Sequence, residues 1–244
     1  MSRIFNVSAD CRPGLYYMVN IDKRLREIKA MVDRGDYFAI NRARQYGKTT
    51  TLKALERFLR DEYAVLSLDF QRLSYKDFES EGFFIKAIAR EILKKPGLNQ
   101  IMPDSVRGRF EELVQSSDRD GRLADLSGIF CKWCQESVRP VVLMIDEVDS
   151  ATNNQVFLDF LSQLRGGYIG RDETAAFQSV ILAGGYDVRN LKSRFVAEDE
   201  HRVNSPWNIA ADFLVDMSFS VKDIAGMLAD YEADYDTGMD IQVI

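Results

Sequence analysis

The sequence predicts a three-layer α/β domain built on a mostly parallel sheet. Three observations lead there. Segments with apolar residues at helical spacing alternate along the chain with short apolar runs, and parallel strands need crossover helices between them. One such run is followed by Arg44-Gln45-Tyr46-Gly47-Lys48-Thr49-Thr50, and a later one, Val141 to Ile145, ends in Asp146-Glu147. Polar residues placed directly after apolar strands mark the edge of an open parallel sheet at which ligands bind.

Taken in order, Asn20 to Arg34 puts Ile21, Leu25, Ile28, Met31 and Val32 on one helical face, and Gly35 stands where a left-handed cap belongs. Asp36 to Ile40 reads as a short buried strand. The Gly47-Lys48-Thr49 turn opens a helix carrying Leu52, Leu55, Phe58 and Leu59. Tyr63 to Phe70 reads as a second strand, followed by one long helix from about Tyr75 to Lys95 that ends before Pro96.

The more polar stretch from Gly97 to Gly121 is expected to hold one exposed helix starting near Pro103. A helix around Leu126 to Glu136 then leads past Pro140 into the strand at Val141. A further helix, around Gln155 to Leu164, carries Val156, Phe157, Phe160 and Leu161 and is expected to break at Gly166-Gly167. Phe177 to Ala183 reads as a fourth strand and Asp212 to Met217 as a fifth. Ser220-Val221-Lys222-Asp223 has the form of a capping box opening a last helix.

At 244 residues, with 46% hydrophobic and 29% charged, the chain can bury a full core as one large domain. No apolar stretch approaches the roughly 18 residues needed to cross a bilayer, and the first residues lack the apolar core of a secretory signal. A cytoplasmic protein with no membrane partner is therefore expected. A net charge of -6 opposes general electrostatic attraction to nucleic acid, so nucleic acid is not indicated as a partner, although local basic patches remain open. The three cysteines, Cys11, Cys131 and Cys134, are too few for a disulfide framework. Cys131 and Cys134 have no second pair, and the only histidine, His201, is distant in sequence. Among Ile129, Phe130 and Trp133 they read as apolar helix positions rather than zinc ligands.

The two polar turns suit one another chemically. Successive amides at a helix N-terminus point into one anion, a lysine adds a point charge, and a hydroxyl binds magnesium. Asn41 through Tyr46 then form the wrapping turn, Gly47 admits a phosphate without a side chain in the way, and Lys48 and Thr49 fill the other roles. Magnesium needs a carboxylate beside the Thr49 hydroxyl, which Asp146 supplies, and Glu147 is placed to act as general base or to orient a water. Together the motifs read as a site for ATP and Mg2+, with Lys48 and Glu147 catalytic and Thr49 and Asp146 at the metal. Arg42 occupies the first glycine position of the usual pattern. It can impose a different turn, contact phosphate, or leave the loop to be ordered by nucleotide. After the fourth strand, Asp187 is a candidate sensor of hydrolysis, against a plain glycine-rich turn, and Arg165, Arg189 and Arg194 are candidates to neutralise transition-state charge.

With these residues in hand, the chain resembles the AAA-like and STAND branch of P-loop ATPases, notably bacterial proteins built around an AAA-like domain. The resemblance rests on Tyr-Met-Val-Asn at 17 to 20, Asn-Arg-Ala-Arg-Gln-Tyr-Gly-Lys-Thr-Thr-Thr-Leu at 41 to 52, Leu-Met-Ile-Asp-Glu-Val-Asp at 143 to 149, Ser-Val-Ile-Leu-Ala-Gly at 179 to 184 and Asn-Ser-Pro-Trp-Asn-Ile-Ala at 204 to 210. It implies a P-loop NTPase fold with a five-stranded sheet of order 5-1-4-3-2. It further implies adenine beside Tyr17, Met18 and Val19, and phosphates held by Arg44, Gln45, Tyr46, Gly47, Lys48, Thr49 and Thr50. The ATPase domain would span 1–219, and 220–244 would begin a helical lid. Relatives use ATP as a conformational switch, often with self-association or an effector partner.

Other readings stay open. A nucleotide-binding regulatory module with little turnover is suggested by Arg42. A small-molecule kinase also uses a phosphate loop, but has less need of a glutamate beside the metal carboxylate. A helicase lacks further motifs here, and no Gly-x-Ser-x-Gly nucleophile motif supports an esterase.

Overall fold

In a computed structural model, which describes residues 3–6, 11–12, 14–43, 46–117, 121–185 and 207–241, four parallel strands form one sheet. They are β1 (Phe38–Asn41), β2 (Ala64–Asp69), β3 (Val141–Asp146) and β4 (Ser179–Gly184), in the order β1-β4-β3-β2. The register sets Leu143 against Leu66 on one side and Val180 on the other, and Asp146 against Asp69. Among the described residues seven α-helices accompany them: α1 (Asp22–Asp33), α2 (Lys48–Leu59), α3 (Glu81–Leu93), α4 (Asp104–Gln115), α5 (Leu123–Glu136), α6 (Gln155–Ile169) and α7 (Val221–Tyr235).

Side-chain alternation along the strands divides the interior into two cores. Val141, Leu143 and Ile145 of β3, with Val180 and Leu182 of β4, face the core shared with α3, α4, α5 and α6. Val142 and Met144, with Ile181 and Ala183, face the core shared with α1 and α2. The three layers predicted from the sequence are therefore present. Of the apolar positions singled out on α1, Leu25, Ile28, Met31 and Val32 are buried; on α2, Leu52, Leu55 and Leu59 are buried while Phe58 is 39% exposed.

The sheet has four strands, not five. Ala211 forms a single parallel bridge to Phe38, its amide donating to the Tyr37 carbonyl at 2.8 Å, and the ladder goes no further. Residues 212–217 keep their alternation without it: Val215 and Met217 are buried in the α1/α2 core, and Phe213 stacks on Phe38. The buried Arg24 side chain takes the carbonyls of Asp216 and Ser218 at 3.1 and 3.0 Å, bonds that a neighbouring strand would otherwise supply.

Two helices also differ from expectation. The long helix expected from Tyr75 is a 3-10 turn, Tyr75–Phe78, followed by α3, because Ser80 caps a new start by accepting from the Phe83 amide. Helix α6 continues through Gly166 and Gly167 to Ile169. A glycine costs about 1 kcal/mol relative to alanine in a helix, which the burial of Phe157, Phe160, Leu161 and Leu164 outweighs.

The end of α1 and the start of α7 follow the local signals closely. Gly35, at φ +75°, closes a Schellman motif in which its own amide donates to Val32 and that of Asp36 to Met31. Ser220 and Asp223 exchange side-chain and backbone bonds as a capping box. Helix α7 buries none of its residues. It rests on the N-terminal segment, where Arg3 meets Asp230 and Asp234 at 3.2 and 2.9 Å and the Tyr17 hydroxyl donates to Asp234 at 2.7 Å. The rings of Phe5, Tyr17, Tyr231 and Tyr235 form one aromatic group there. Among the described residues, no helix is long and apolar enough to cross a membrane.

The capping geometry predicts opposite outcomes for two glycine substitutions. Gly35→Ala forces a left-handed residue with a Cβ 3.4 Å from the Gln178 carbonyl, and lowers stability by about 1–2 kcal/mol. Gly108→Ala, in open space within α4, raises it by about 0.5–1 kcal/mol. Denaturant midpoints of the two variants measure both signs.

Candidate functional site

The C-terminal edge of the sheet gathers the polar residues of both sequence motifs. Strand β1 ends at Asn41, and the next amide, that of Arg42, donates to the Gly184 carbonyl at 3.1 Å, which ties the loop's entry to the end of β4. Gly47, at φ 70°, is the left-handed residue from which α2 departs at Lys48. No described protein atom crowds a Cβ at Gly47, but its φ of 70° lies where glycine is favoured. The buried Lys48 turns back into its own loop, its Nζ donating to the carbonyls of Arg42 and Ala43 at 2.8 and 3.1 Å.

Thr49 joins the two motifs. Its Oγ1 donates to Asp146 Oδ2 at 2.7 Å, across 97 residues of sequence. The other carboxylate oxygen of Asp146 accepts from the Glu147 amide at 2.9 Å. Burial, with Asp146 only 7% exposed, pushes its carboxyl above the usual range, and the neighbouring Asp69 adds to the rise. The bonds from Thr49 and the Glu147 amide, and the charge of Lys48, act in the opposite direction.

Glu147 sits in the left-handed region at φ 55°, which turns the chain out of β3 into the short helical turn Val148–Ser150. Its carbonyl accepts from Ser150 Oγ at 2.9 Å. Its half-buried carboxylate makes no hydrogen bond to any described residue. Asp149, from the same turn, reaches across to β4, where its Oδ2 accepts from the Gly185 amide at 2.5 Å. A Cβ on Gly184 would lie 2.6 Å from Asp149 Oδ1, so glycine is a steric requirement at that position.

The remaining sequence candidates are distributed unevenly. Thr50 Oγ1 accepts from the Cys11 amide at 3.3 Å, and Tyr46 is 49% exposed beside the turn. Met18 and Val19 line a cleft of about 530 Å³ with Ala54, Arg57 and Phe58. Tyr17 is turned instead toward α7, its hydroxyl on Asp234. Arg42 bonds back to the Asn41 carbonyl and lies over the Phe213 ring at 5.9 Å, so its guanidinium is directed at residues 212–217. Arg165 stands ten residues along α6 from Gln155, a rise of about 15 Å, which separates it from the acidic turn. Arg44, Gln45, Asp187, Arg189 and Arg194 lie outside the described residues.

Sequence reasoning passed over Asp69, Asp149 and Cys11. Asp69 had a usable signal, since Leu68-Asp69 repeats the apolar-run-then-acid pattern of β3. Asp149 was visible only as the last acid of Asp-Glu-Val-Asp. Nothing local marks Cys11, whose contact with Thr50 is tertiary.

No family model matches the chain, and no curated protein matches it. Among solved structures it is similar to the Orc1 protein of Aeropyrum pernix in complex with DNA, at 11% identity and a TM-score of 0.48 over 91% of this chain and 52% of that one. It is also similar to Cdc6p from Pyrobaculum aerophilum, at 15% identity and a TM-score of 0.45 over 86% and 48%. Drosophila ORC bound to GC-rich DNA and Cdc6 matches at 10% identity and a TM-score of 0.47, over 85% and 30%. The chain thus spans between 30% and 52% of the length of these proteins. Likeness at this level carries no inference about activity.

The raised Asp146 carboxyl has a thermodynamic consequence. A carboxyl whose pKa is higher folded than unfolded binds more protons in the folded state, so stability falls as pH rises from the ordinary carboxylate range through the folded value. Asp146→Asn removes that loss. The metal-free variant should therefore match or exceed the wild type in melting temperature at neutral pH, and the advantage should shrink on acidification, as followed by circular dichroism.

Proposed function

We propose that the chain is an AAA-like, STAND-type domain that binds ATP with magnesium and hydrolyses it to drive a conformational switch. The hydrogen bond between Thr49 and Asp146 carries this reading, because it places a hydroxyl and a carboxylate, both hard oxygen donors suited to Mg2+, beside the Lys48 ammonium. A lysine ammonium has three donors. Two are used on the loop's own carbonyls, which leaves the third for a phosphate oxygen. The amides following Gly47 face the same anion at the N-terminus of α2, with Arg44, Gln45, Tyr46 and Thr50 completing the wrap.

Thr49 and Asp146 would hold the metal. When bound, magnesium offsets the charge on the transferring phosphate. Glu147 is the group that takes the proton of an attacking water aligned with the γ-phosphate, so that the phosphoanhydride bond breaks to leave ADP and inorganic phosphate. Tyr17, Met18 and Val19 would form the adenine side, Met18 and Val19 from the cleft they line beside α2. Residues 1–219 make up the ATPase domain and 220–244, opening with α7, begin a lid. Self-association or an effector partner, implied by the resemblance, belongs with this proposal.

A second reading has its own support. The Arg42 side chain is engaged with Phe213 and Lys48 with the loop, an arrangement that also suits a module which holds nucleotide with little turnover.

Nucleotide binding and phosphate release separate the two. Lys48→Ala should lose most ATP affinity, and equal binding by wild type and variant would overturn both readings. Glu147→Gln should retain ATP while phosphate release slows about 100-fold or more. Retained ATP with no change in a slow basal release would favour the binding module.

A further inference from the structure

At the opposite edge of the sheet lies a second cleft, of about 210 Å³, between α5, α6 and the residues leading into β4. Its walls include Phe130, Leu164 and Phe177, its floor includes Tyr37, and both thiols of the Cys131/Cys134 pair line it. Tyr37 precedes β1 and Phe177 precedes β4, whereas Lys48 follows the other end of β1 and Asp146 is the last residue of the parallel β3. This cleft is therefore separate from the candidate nucleotide site and independent of the function proposed for it.

Two features distinguish it from an ordinary packing gap. No charged residue lines it, and the polar groups present, on Ser127, Gln163 and Thr174, are neutral. The Tyr37 hydroxyl is already committed to the Phe177 carbonyl at 3.1 Å, and burial pushes the Cys134 thiol up to about 12, so it stays uncharged. The space is also kept open by helical glycines. Both Gly166 and Gly167 line it, a Cβ at Gly166 would meet nothing within 4 Å, and one at Gly167 would stand 3.9 Å from the Cβ of Ala176 across the cleft. Alanine would fit at both positions and strengthen α6, but it would narrow the opening.

We infer that this cleft is a binding site for a small, neutral, apolar ring compound of one or two fused rings. The size follows from comparison with a dry cavity of about 150 Å³ that accepts benzene. The neutrality follows from the lining, which offers no counter-charge, since a charged ligand would lose its hydration without compensation.

The test uses the full chain, with indole as probe and indole-3-acetate as its charged counterpart. Millimolar indole should raise the melting temperature and slow alkylation of Cys131 by iodoacetamide severalfold. Peptide-resolved mass spectrometry reads Cys11, remote from the cleft, as an internal control whose rate should not change. Indole-3-acetate should protect Cys131 much less. Gly167→Leu, and independently Ala176→Leu from the facing wall, should abolish the protection. Unchanged Cys131 alkylation in saturating indole, equal protection by the charged analogue, or protection that survives in a folded cleft-filling variant would each overturn the inference. The wild-type labelling comparison decides the matter even where a variant fails to fold.

Discussion

A strand with apolar residues on both faces can carry charge only at its ends, and β3 is such a strand. All six of its residues are buried, the five apolar ones shared between two cores by the alternation of their side chains. Its neighbours β2 and β4 pair with it in register, so the ends of three strands arrive at one edge together. That edge is where the chain can expose polar groups without breaking a core. The position of Asp146 is as much a boundary of the apolar interior as a chemical choice, because one residue further in a carboxylate would lose water from every side.

The electrostatics at this edge are finely opposed. Asp146 is desolvated and faces Asp69 in register, and it is held by one hydroxyl, one amide and the field of one lysine. Such a carboxylate is a costly group to leave without a cation. Glu147, by contrast, is turned out of the strand by a left-handed residue and keeps its carboxylate clear of protein partners among the described residues. Asp149 then fastens the same turn to β4 through Gly185, so the acid-bearing turn and the loop entry at Arg42 are both fixed to the end of one strand.

Much of this was legible because local rules govern it. The caps at Gly35 and Ser220, the start of α2 at the Gly47-Lys48-Thr49 turn and the buried run into Asp146 depend on residues within one turn of each other. What escaped depends on partners distant in sequence. The fifth strand was expected from the alternation of Asp212 to Met217, which is real, but alternation reports burial and not ladder bonds, and Arg24 supplies those bonds instead. Gly166-Gly167 carried the right composition for a break, yet the burial of the preceding apolar face holds the helix together. Tyr17, Met18 and Val19 were placed together beside adenine by the resemblance carried by Tyr-Met-Val-Asn. Tyr17 is turned to α7 by its hydroxyl's bond to Asp234, a contact distant in sequence, while Met18 and Val19 line the cleft.

The fastening of α7 has a consequence for how the molecule comes apart. The bonds holding this helix reach residues more than 200 positions earlier in the chain, and its charged partners are partly open to solvent. Exposed ion pairs of this kind contribute at most about 1 kcal/mol each and weaken as salt screens them, whereas the two apolar cores do not rest on charge that salt could screen. Detachment of α7 is thus a low-energy opening, separable from melting of the sheet, and rising salt should widen the interval between the two.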